Sequence, residues 1–264
     1  MYLRNTKYDE NEAISTLALL DSIDKEKYNE PLELEELFDS PEYPFKDSWI
    51  AKEQSLFDFA KGDEDEFHED SLKTHPDCSK RIALLKPSIE KNTKEGARIF
   101  LQQESEFQEL VRLSDFELLE SELTLGNYGY CLFQSIKFLK HHPNNVYLYA
   151  MINQCIYLIH KAQQEHSMGK YVRLASQVED EDYKQLNTFL HRLRLSEMAK
   201  VGYFFAQKHK KQFAADEYFL YTLWLSSKMM EKPEEASAYQ REYVDKFPKG
   251  RFVKNGKLIE MELD

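Results

Sequence analysis

An unbroken succession of helical patterns, beginning near Asn92, constrains the fold more than any other feature of this chain. Apolar side chains recur there at the spacing of an amphipathic helix, and only two to five residues separate one pattern from the next. Connections this short join antiparallel helices. The predicted helices span residues 94–111, 115–126, 128–141, 145–165, 168–178, 182–209, 211–230 and 234–246.

The composition favours the same fold class. The 264 residues include only eight Gly and eight Pro, so residues that break helices are rare. Hydrophobic residues make up 42% of the chain, which is adequate for a packed core. The sequence therefore predicts an all-α protein.

The net negative charge of this protein lies entirely in the first third of the chain. Residues 1–90 contain 23 Asp or Glu and 11 Lys or Arg, whereas residues 91–264 contain 24 of each. A negative surface repels phosphate backbones, and no compact basic patch with interleaved aromatic residues offsets it. Nucleic acid is therefore not an expected partner. The change in charge near residue 90 also predicts a domain boundary, with one domain at 1–90 and the other at 91–264.

Neither an export signal nor a membrane span is predicted. No stretch reaches about 18 apolar residues, and residues 1–5 lack the apolar core of a signal peptide. The three cysteines, Cys78, Cys131 and Cys155, are odd in number and widely spaced, which favours structural thiols over a disulfide framework. As it stands, the chain is expected to be soluble.

The chemistry of the first domain is indicated by residues 71–85, SLKTHPDCSKRIALL, in which His75 and Pro76 precede Arg81 by a few positions. This stretch resembles the closing element of HtpX-type (CaaX prenyl endopeptidase-like) zinc metallopeptidases, where a loop carrying His-Pro leads into a short helix with an Arg five residues after the Pro. Residues 2–13, YLRNTKYDENEA, resemble the family's stretch from the end of the helix that carries its third zinc ligand into the next amphipathic helix. The two stretches occur in the family's order.

The resemblance implies that residues 1–90 are the C-terminal portion of a zinc metallopeptidase domain. The family binds zinc through His-Glu-x-x-His and a later Glu, because residues i and i+4 project from one helix face. None of the eight histidines here has that spacing. The zinc ligands and catalytic residues are therefore expected upstream of Met1, and this chain alone is expected to hold no metal and to be inactive.

Within the chain, the resemblance places His75, Pro76 and Arg81 at the peptidase cleft. Pro76 disfavours a helical conformation at His75, so the imidazole would be presented from a loop. His75 is then a candidate for an auxiliary zinc contact in a full-length parent, and Arg81 would help to organise the cleft. The alternative is an ordinary helix-entry turn at His75-Pro76-Asp77, with Arg81 paired to neighbouring acids.

The second domain is predicted to bind protein. Its helices resemble tetratricopeptide repeats at two places: Tyr128 to Pro143, and Ala236 to Pro248. Irregular helical hairpins would give the same aromatic stripes. Most of its aromatic residues are expected in the core, and a minority would line a concave surface that holds an extended peptide or a partner helix. The candidates are Tyr147, Tyr149, Tyr157, Tyr203, Phe204, Phe205, Tyr218, Phe219, Tyr221 and Trp224.

Together these features predict the C-terminal part of a zinc metalloendopeptidase, whose full-length parent hydrolyses peptide bonds with zinc-activated water. A helical module would bind its substrate or protein partner. A parent enzyme would be periplasmic or membrane-associated. The alternative function is that of a stand-alone, non-catalytic helical module for protein interaction.

Overall fold

The computed structural model describes residues 8–21, 30–51, 77–91 and 103–263. It confirms the all-α fold class. Over these residues, the α-helices are α1 (Glu12–Asp21), α2 (Leu34–Phe38), α3 (Cys78–Glu90), α4 (Glu104–Thr124), α5 (Tyr128–His141), α6 (Val146–Gln164), α7 (Glu181–Arg192), α8 (Leu195–Phe213), α9 (Glu217–Met229) and α10 (Pro233–Lys246). No helix among them is long and apolar enough to cross a membrane.

Contacts divide the chain into two compact units. The first comprises Met1–Asn29 and Glu53–Arg112, and the second comprises Glu30–Lys52 and Leu113–Asp264. This division differs from the expected boundary near residue 90, because residues 30–51 pack with helices much later in the chain. The assignment of residues 1–90 to a peptidase-like domain stays a prediction.

In the first unit, α1 packs against α3. Leu17 of α1 and Ile89 of α3 are buried. Asp77 precedes α3, and Pro87 lies inside that helix, which continues to Glu90. Proline removes one hydrogen bond from a helix. Pro87 lies near the last turn of α3, and the helix continues for three more residues despite the missing bond.

The second unit is organised around α6 and α9, which pack against each other. Thirteen of the 19 residues of α6 are buried, including every residue from 150 to 160, and ten of the 13 residues of α9 are buried. A helix buried on all sides lies at the centre of its domain. Helix α5 packs on α6, α8 packs on both central helices, and α10 packs on α9.

Three helices of this unit begin at a side-chain cap. Asn145 accepts a hydrogen bond from the backbone N–H of Tyr147 at the start of α6, at 3.0 Å. Asp180 accepts from the Tyr183 N–H at 2.7 Å, and Asp216 caps α9 in the same way. Such caps satisfy N–H groups that have no partner within the helix.

Several of the predicted helices were wrong. Residues 104–124 form one helix, α4, where two helices at 94–111 and 115–126 were expected. Residues 182–209 form α7 and α8 rather than one helix, because the backbone is extended at Leu193 and Arg194 and the Arg194 N–H donates to the Glu197 carboxylate at 3.2 Å. Residues 168–178 contain two short 3-10 turns, Met168–Lys170 and Ala175–Gln177, where an α-helix was expected. Apolar spacing alone did not reveal either interruption.

The chain continues after α10 into a two-stranded hairpin, β1 (Val253–Lys254) and β2 (Lys257–Leu258), paired antiparallel. Asn255 and Gly256 connect the strands, and their φ values are 53° and 72°. Asn and Gly are the residues that tolerate two consecutive left-handed conformations, as a two-residue hairpin turn requires. Leu258 is the last residue of β2, and residues 259–263 follow the hairpin.

Candidate functional site

The residues assigned to the peptidase cleft lie only partly in the described portion of the chain. His75 and Pro76 are outside it. Arg81 lies in the first turn of α3 and is exposed, and its backbone N–H donates to the carbonyl of Asp77 at 3.1 Å. Lys80 pairs with the Asp77 carboxylate at 3.4 Å. A role for His75, Pro76 and Arg81 at a cleft stays a prediction.

A zinc site would need at least three ligands close together. In residues 8–21, 30–51, 77–91 and 103–263, no three His, Cys, Asp or Glu side chains are grouped so that they could hold an ion. These residues therefore do not by themselves fit the zinc that the resemblance implies. The possible zinc contact of His75 lies outside the described residues.

Two histidines of the helical unit lie largely inside it. Burial lowers the pKa of His160 on α6 to about 4, and burial with a smaller contribution from Lys208 lowers the pKa of His209 on α8 to about 4. The His209 ring lies 4.3 Å from that of Tyr149 and 5.1 Å from that of Phe205, measured between centroids. Both imidazoles are neutral at pH 7.

Residues 30–51, the N-terminal strap, lie along the helices of the second unit and are held through backbone carbonyls. Lys137 of α5, with a side chain only 2% exposed, donates to the carbonyl of Glu30 at 2.6 Å. Lys208 of α8 donates to the carbonyl of Asp39 at 3.0 Å. These ammonium groups satisfy carbonyls that the strap's irregular backbone leaves without helical partners.

Aromatic side chains attach the strap to α7 and α8. The ring of Phe38 lies 5.5 Å from that of Phe189 and 5.6 Å from that of Phe205. Trp49 lies 6.0 Å from Phe189. Because Phe38 and Trp49 are only 2% and 4% exposed, the strap is part of the hydrophobic core of this unit.

A cleft of about 520 Å³ opens beside the strap, with Lys140, Lys208 and His209 in its wall. The ammonium group of Lys140 donates to the carbonyl of Pro31, and Lys208 is engaged as described above. The basic groups of this cleft thus hold the strap in place.

On another face of the same unit, residues 259–263, the C-terminal segment, occupy a groove formed by α6 and α9. Tyr221 of α9 donates its hydroxyl to the carbonyl of Ile259 at 2.9 Å. Lys161 of α6 donates to the carbonyl of Met261 at 3.1 Å. Two helices therefore bind alternate backbone carbonyls of this segment.

Side chains of the C-terminal segment are bound as well. The Tyr157 hydroxyl donates to the carboxylate of Glu260 at 2.9 Å, and Lys228 pairs with the same carboxylate. The amide of Gln154 donates to the sulfur of Met261, and its carbonyl accepts from the hydroxyl of Tyr218. Burial raises the pKa of Tyr157 to about 12, so its phenol is a neutral donor.

The chain enters this groove through a tightly packed corner at Gly250. The Glu217 carboxylate accepts hydrogen bonds from the Tyr243 hydroxyl and the Arg251 N–H, each at 2.6 Å. A Cβ atom added at Gly250 would lie 2.6 Å from the Glu217 carboxylate and 2.7 Å from the Tyr243 hydroxyl. The ring of Phe252 then stacks on that of Tyr221 at 3.8 Å. The corner fixes where the C-terminal segment begins.

Tyr157 and Tyr221 are two of the ten aromatic residues that were expected mostly in the core, with an unspecified minority along a concave surface. Gln154, Lys161 and Lys228 were not predicted. These three residues carry no motif, and helical spacing within one helix cannot show which residues of α6 and α9 face each other across the groove. The alternation of Leu258, Glu260 and Glu262 is the signal that the sequence offers, and it is compatible with a frayed tail as well as with a short extended segment.

Comparisons with models of protein families, with curated proteins and with solved structures find no match to this chain.

Proposed function

We propose that this chain combines the C-terminal part of an HtpX-type zinc metallopeptidase with a helical module that binds an extended segment of a substrate or partner protein. The observation that carries the binding function is the way the module holds two extended segments of its own chain. Both the strap and the C-terminal segment are bound through side-chain hydrogen bonds to backbone carbonyls. Contacts of this kind suit peptides of varied sequence.

The peptidase part of the proposal rests on the two stretches that resemble the family, residues 2–13 and 71–85. Helix α3 begins at Cys78, two residues after Pro76, and carries Arg81 in its first turn, in keeping with the resemblance. Zinc and the general base would be supplied by residues that this chain does not contain. By resemblance, the parent enzyme cleaves peptide bonds with water activated by zinc.

A second candidate is a stand-alone helical interaction protein without catalysis. One observation favours it: the strap and α5 to α10 form a compact unit with its own core. The module could therefore act without a catalytic domain. Binding of a protein segment is common to both candidates, and zinc-dependent hydrolysis distinguishes them.

The first experiment measures zinc content and casein cleavage for two purified proteins. One is this chain, and the other is the same chain extended upstream through the nearest His-Glu-x-x-His of its reading frame. Zinc and cleavage in the extended protein alone would support a severed peptidase C-terminus. Absence of both from the extended protein, or of any such motif upstream, would contradict the peptidase proposal in favour of the stand-alone module.

The second experiment tests the binding function alone. Fluorescently labelled casein, an extended protein, is titrated with the full 264-residue chain and followed by anisotropy. Saturable binding is expected for the proposed module. A flat titration with a correctly folded chain would contradict binding of extended protein segments.

A further inference from the structure

We infer that the groove between α6 and α9 is a recognition site for an acidic extended peptide of a partner protein, and that residues 259–263 occupy it as an intramolecular substitute. This inference rests on the proposed protein-binding function and adds the chemistry of the ligand. The ligand has a glutamate between two residues whose backbone carbonyls face the groove.

The groove binds the backbone of its occupant independently of sequence. Tyr221 and Lys161 donate to the carbonyls of Ile259 and Met261, which are two residues apart. In an extended chain, carbonyls at this spacing point to the same side. Any peptide in an extended conformation can present the same pair of acceptors.

The groove selects an acidic peptide through the charge of its lysines. Glu260 receives a hydrogen bond from Tyr157 and an ion pair from Lys228. Burial and the nearby ammonium of Lys161 lower the pKa of Lys228, so the two lysines repel each other when no anion lies with them. A carboxylate at this position relieves that repulsion, and a basic side chain would increase it.

A buried amide adds a requirement for an acceptor. Gln154 is fully buried, and its side-chain amide nitrogen, Nε2, donates to the sulfur of Met261. If the segment left and nothing replaced it, this donor would lose that partner, at a cost typical of a buried polar group. The groove therefore favours an occupant that supplies a hydrogen-bond acceptor to Gln154.

The C-terminal segment is held more lightly than the residues before it. Phe252 and Leu258 are 4% and 7% exposed, whereas Ile259 is 43% exposed and Glu260 is also exposed. Beyond Leu258 the segment is attached chiefly by hydrogen bonds and one ion pair. A competing peptide can replace those contacts while the hairpin and its core contacts remain in place.

The test uses a fluorescent peptide of residues 258–264, LIEMELD, and anisotropy titration. Two proteins are compared: the full chain and a shortened chain that ends at Leu258. The shortened chain is expected to bind at least about tenfold more tightly, because in the full chain the tethered segment competes at high effective concentration. A peptide carrying Glu260→Lys should bind the shortened chain at least about tenfold more weakly than the original.

Substitutions in the shortened chain locate the site. Lys228→Ala and Tyr157→Phe are expected to weaken binding by about fivefold or more, since each removes a contact to the carboxylate. Lys211→Ala is the matched control, because Lys211 is an exposed lysine of α8 outside the groove. Equal weakening by all three substitutions would overturn the site.

A variant of the full chain provides a second test that does not depend on folding of the shortened chain. Glu260→Lys in the full chain places a positive charge beside Lys228 and Lys161, so the segment should leave the groove. This variant is then expected to bind the original peptide more tightly than the full chain does. Failure of both folded proteins to bind the peptide, or equal binding of the Glu260→Lys peptide, would overturn the inference.

The casein titration separates this inference from the proposed function. If the full chain binds casein but neither variant binds the acidic peptide, the module binds protein elsewhere and only the inference is wrong. If casein binds neither the full chain nor the shortened chain, the proposed binding function is wrong as well.

Discussion

Two largely buried histidines make the stability of this protein depend on pH. His160 and His209 both have a pKa lowered to about 4, against 6.5 for the unperturbed imidazole, because burial disfavours the charged form. The unfolded chain therefore takes up protons at a higher pH than the folded chain. These histidines contribute full stability above pH 6.5, and that contribution is lost progressively as the pH falls from 6.5 to 4.

Replacement of His209 should reduce this loss. In His209→Phe, the new ring lies among Tyr149 and Phe205 without a group that titrates, so stability should fall less between pH 6.5 and 4, by about 1–2 kcal/mol after allowance for partial exposure. Urea unfolding at several pH values measures this difference. His166→Asn is the control, because His166 is exposed and Asn tolerates its positive φ. An unchanged pH dependence in His209→Phe would contradict the conclusion that burial lowers the pKa of His209.

Gly250 should be intolerant of any side chain. In Gly250→Ala, the added methyl group would collide with the Glu217 carboxylate and the Tyr243 hydroxyl, which hold the corner before the hairpin. We expect a loss of about 1–3 kcal/mol in unfolding free energy, and a melting temperature lower by several degrees. Gly169→Ala is the matched control, since no atom lies within 4 Å of the added Cβ. Equal melting temperatures for the two variants would contradict the close contacts that Glu217 and Tyr243 make at Gly250.

At the scale of elements, the N-terminal strap contributes buried side chains to the core of the second unit, among them Phe38 and Trp49. Its short helix α2 is too brief to be stable alone, and its carbonyls are satisfied by lysines of α5 and α8. Phe38, between Phe189 and Phe205, is the main apolar attachment. The strap is therefore ordered by packing and not by its own helix propensity.

Phe38→Ala should be strongly destabilising for that reason. Removal of a fully buried ring leaves a cavity and typically costs about 3–5 kcal/mol. Leu125→Ala, at a leucine that is 69% exposed, is the control and should change stability by less than about 0.5 kcal/mol. Denaturant unfolding followed by tryptophan fluorescence measures both. A loss in Phe38→Ala no greater than in the control would mean that the strap is not part of the core.

At the scale of the whole molecule, the division by contacts predicts that residues 30–51 and residues 113–264 can assemble from separate pieces. Residues 113–264 alone should expose the apolar side chains that Phe38 and Trp49 cover, and should bind a hydrophobic dye. Addition of a peptide of residues 30–51 should displace the dye and raise the melting temperature. A peptide of the same residues with Phe38→Ala and Trp49→Ala is the control. Dye binding that neither peptide reduces would contradict this assembly.

Several elements of the fold could be predicted from the sequence because they depend on local periodicity. Helices α5, α6 and α10 begin within about one residue of their predicted starts. Helix α9 begins at Glu217, later than the predicted start at residue 211, and is capped by Asp216. The break at Leu193 could not be predicted, because it depends on an extended backbone and on one hydrogen bond from Arg194 to Glu197. The peptidase resemblance of residues 2–13 and 71–85 stays a prediction.

The sequence by itself determined the fold class, since helix formers at helical spacing with few Gly and Pro leave little alternative to a helical protein. It also placed Tyr157 and Tyr221 on helices with inward faces. Only the tertiary structure decided that α6 and α9 meet, that Lys161 and Lys228 both bind residues 259–263, and that residues 30–51 belong with the later helices. The physical reason is that periodicity records which face of a helix is buried, whereas the partner of that face depends on packing between distant parts of the chain.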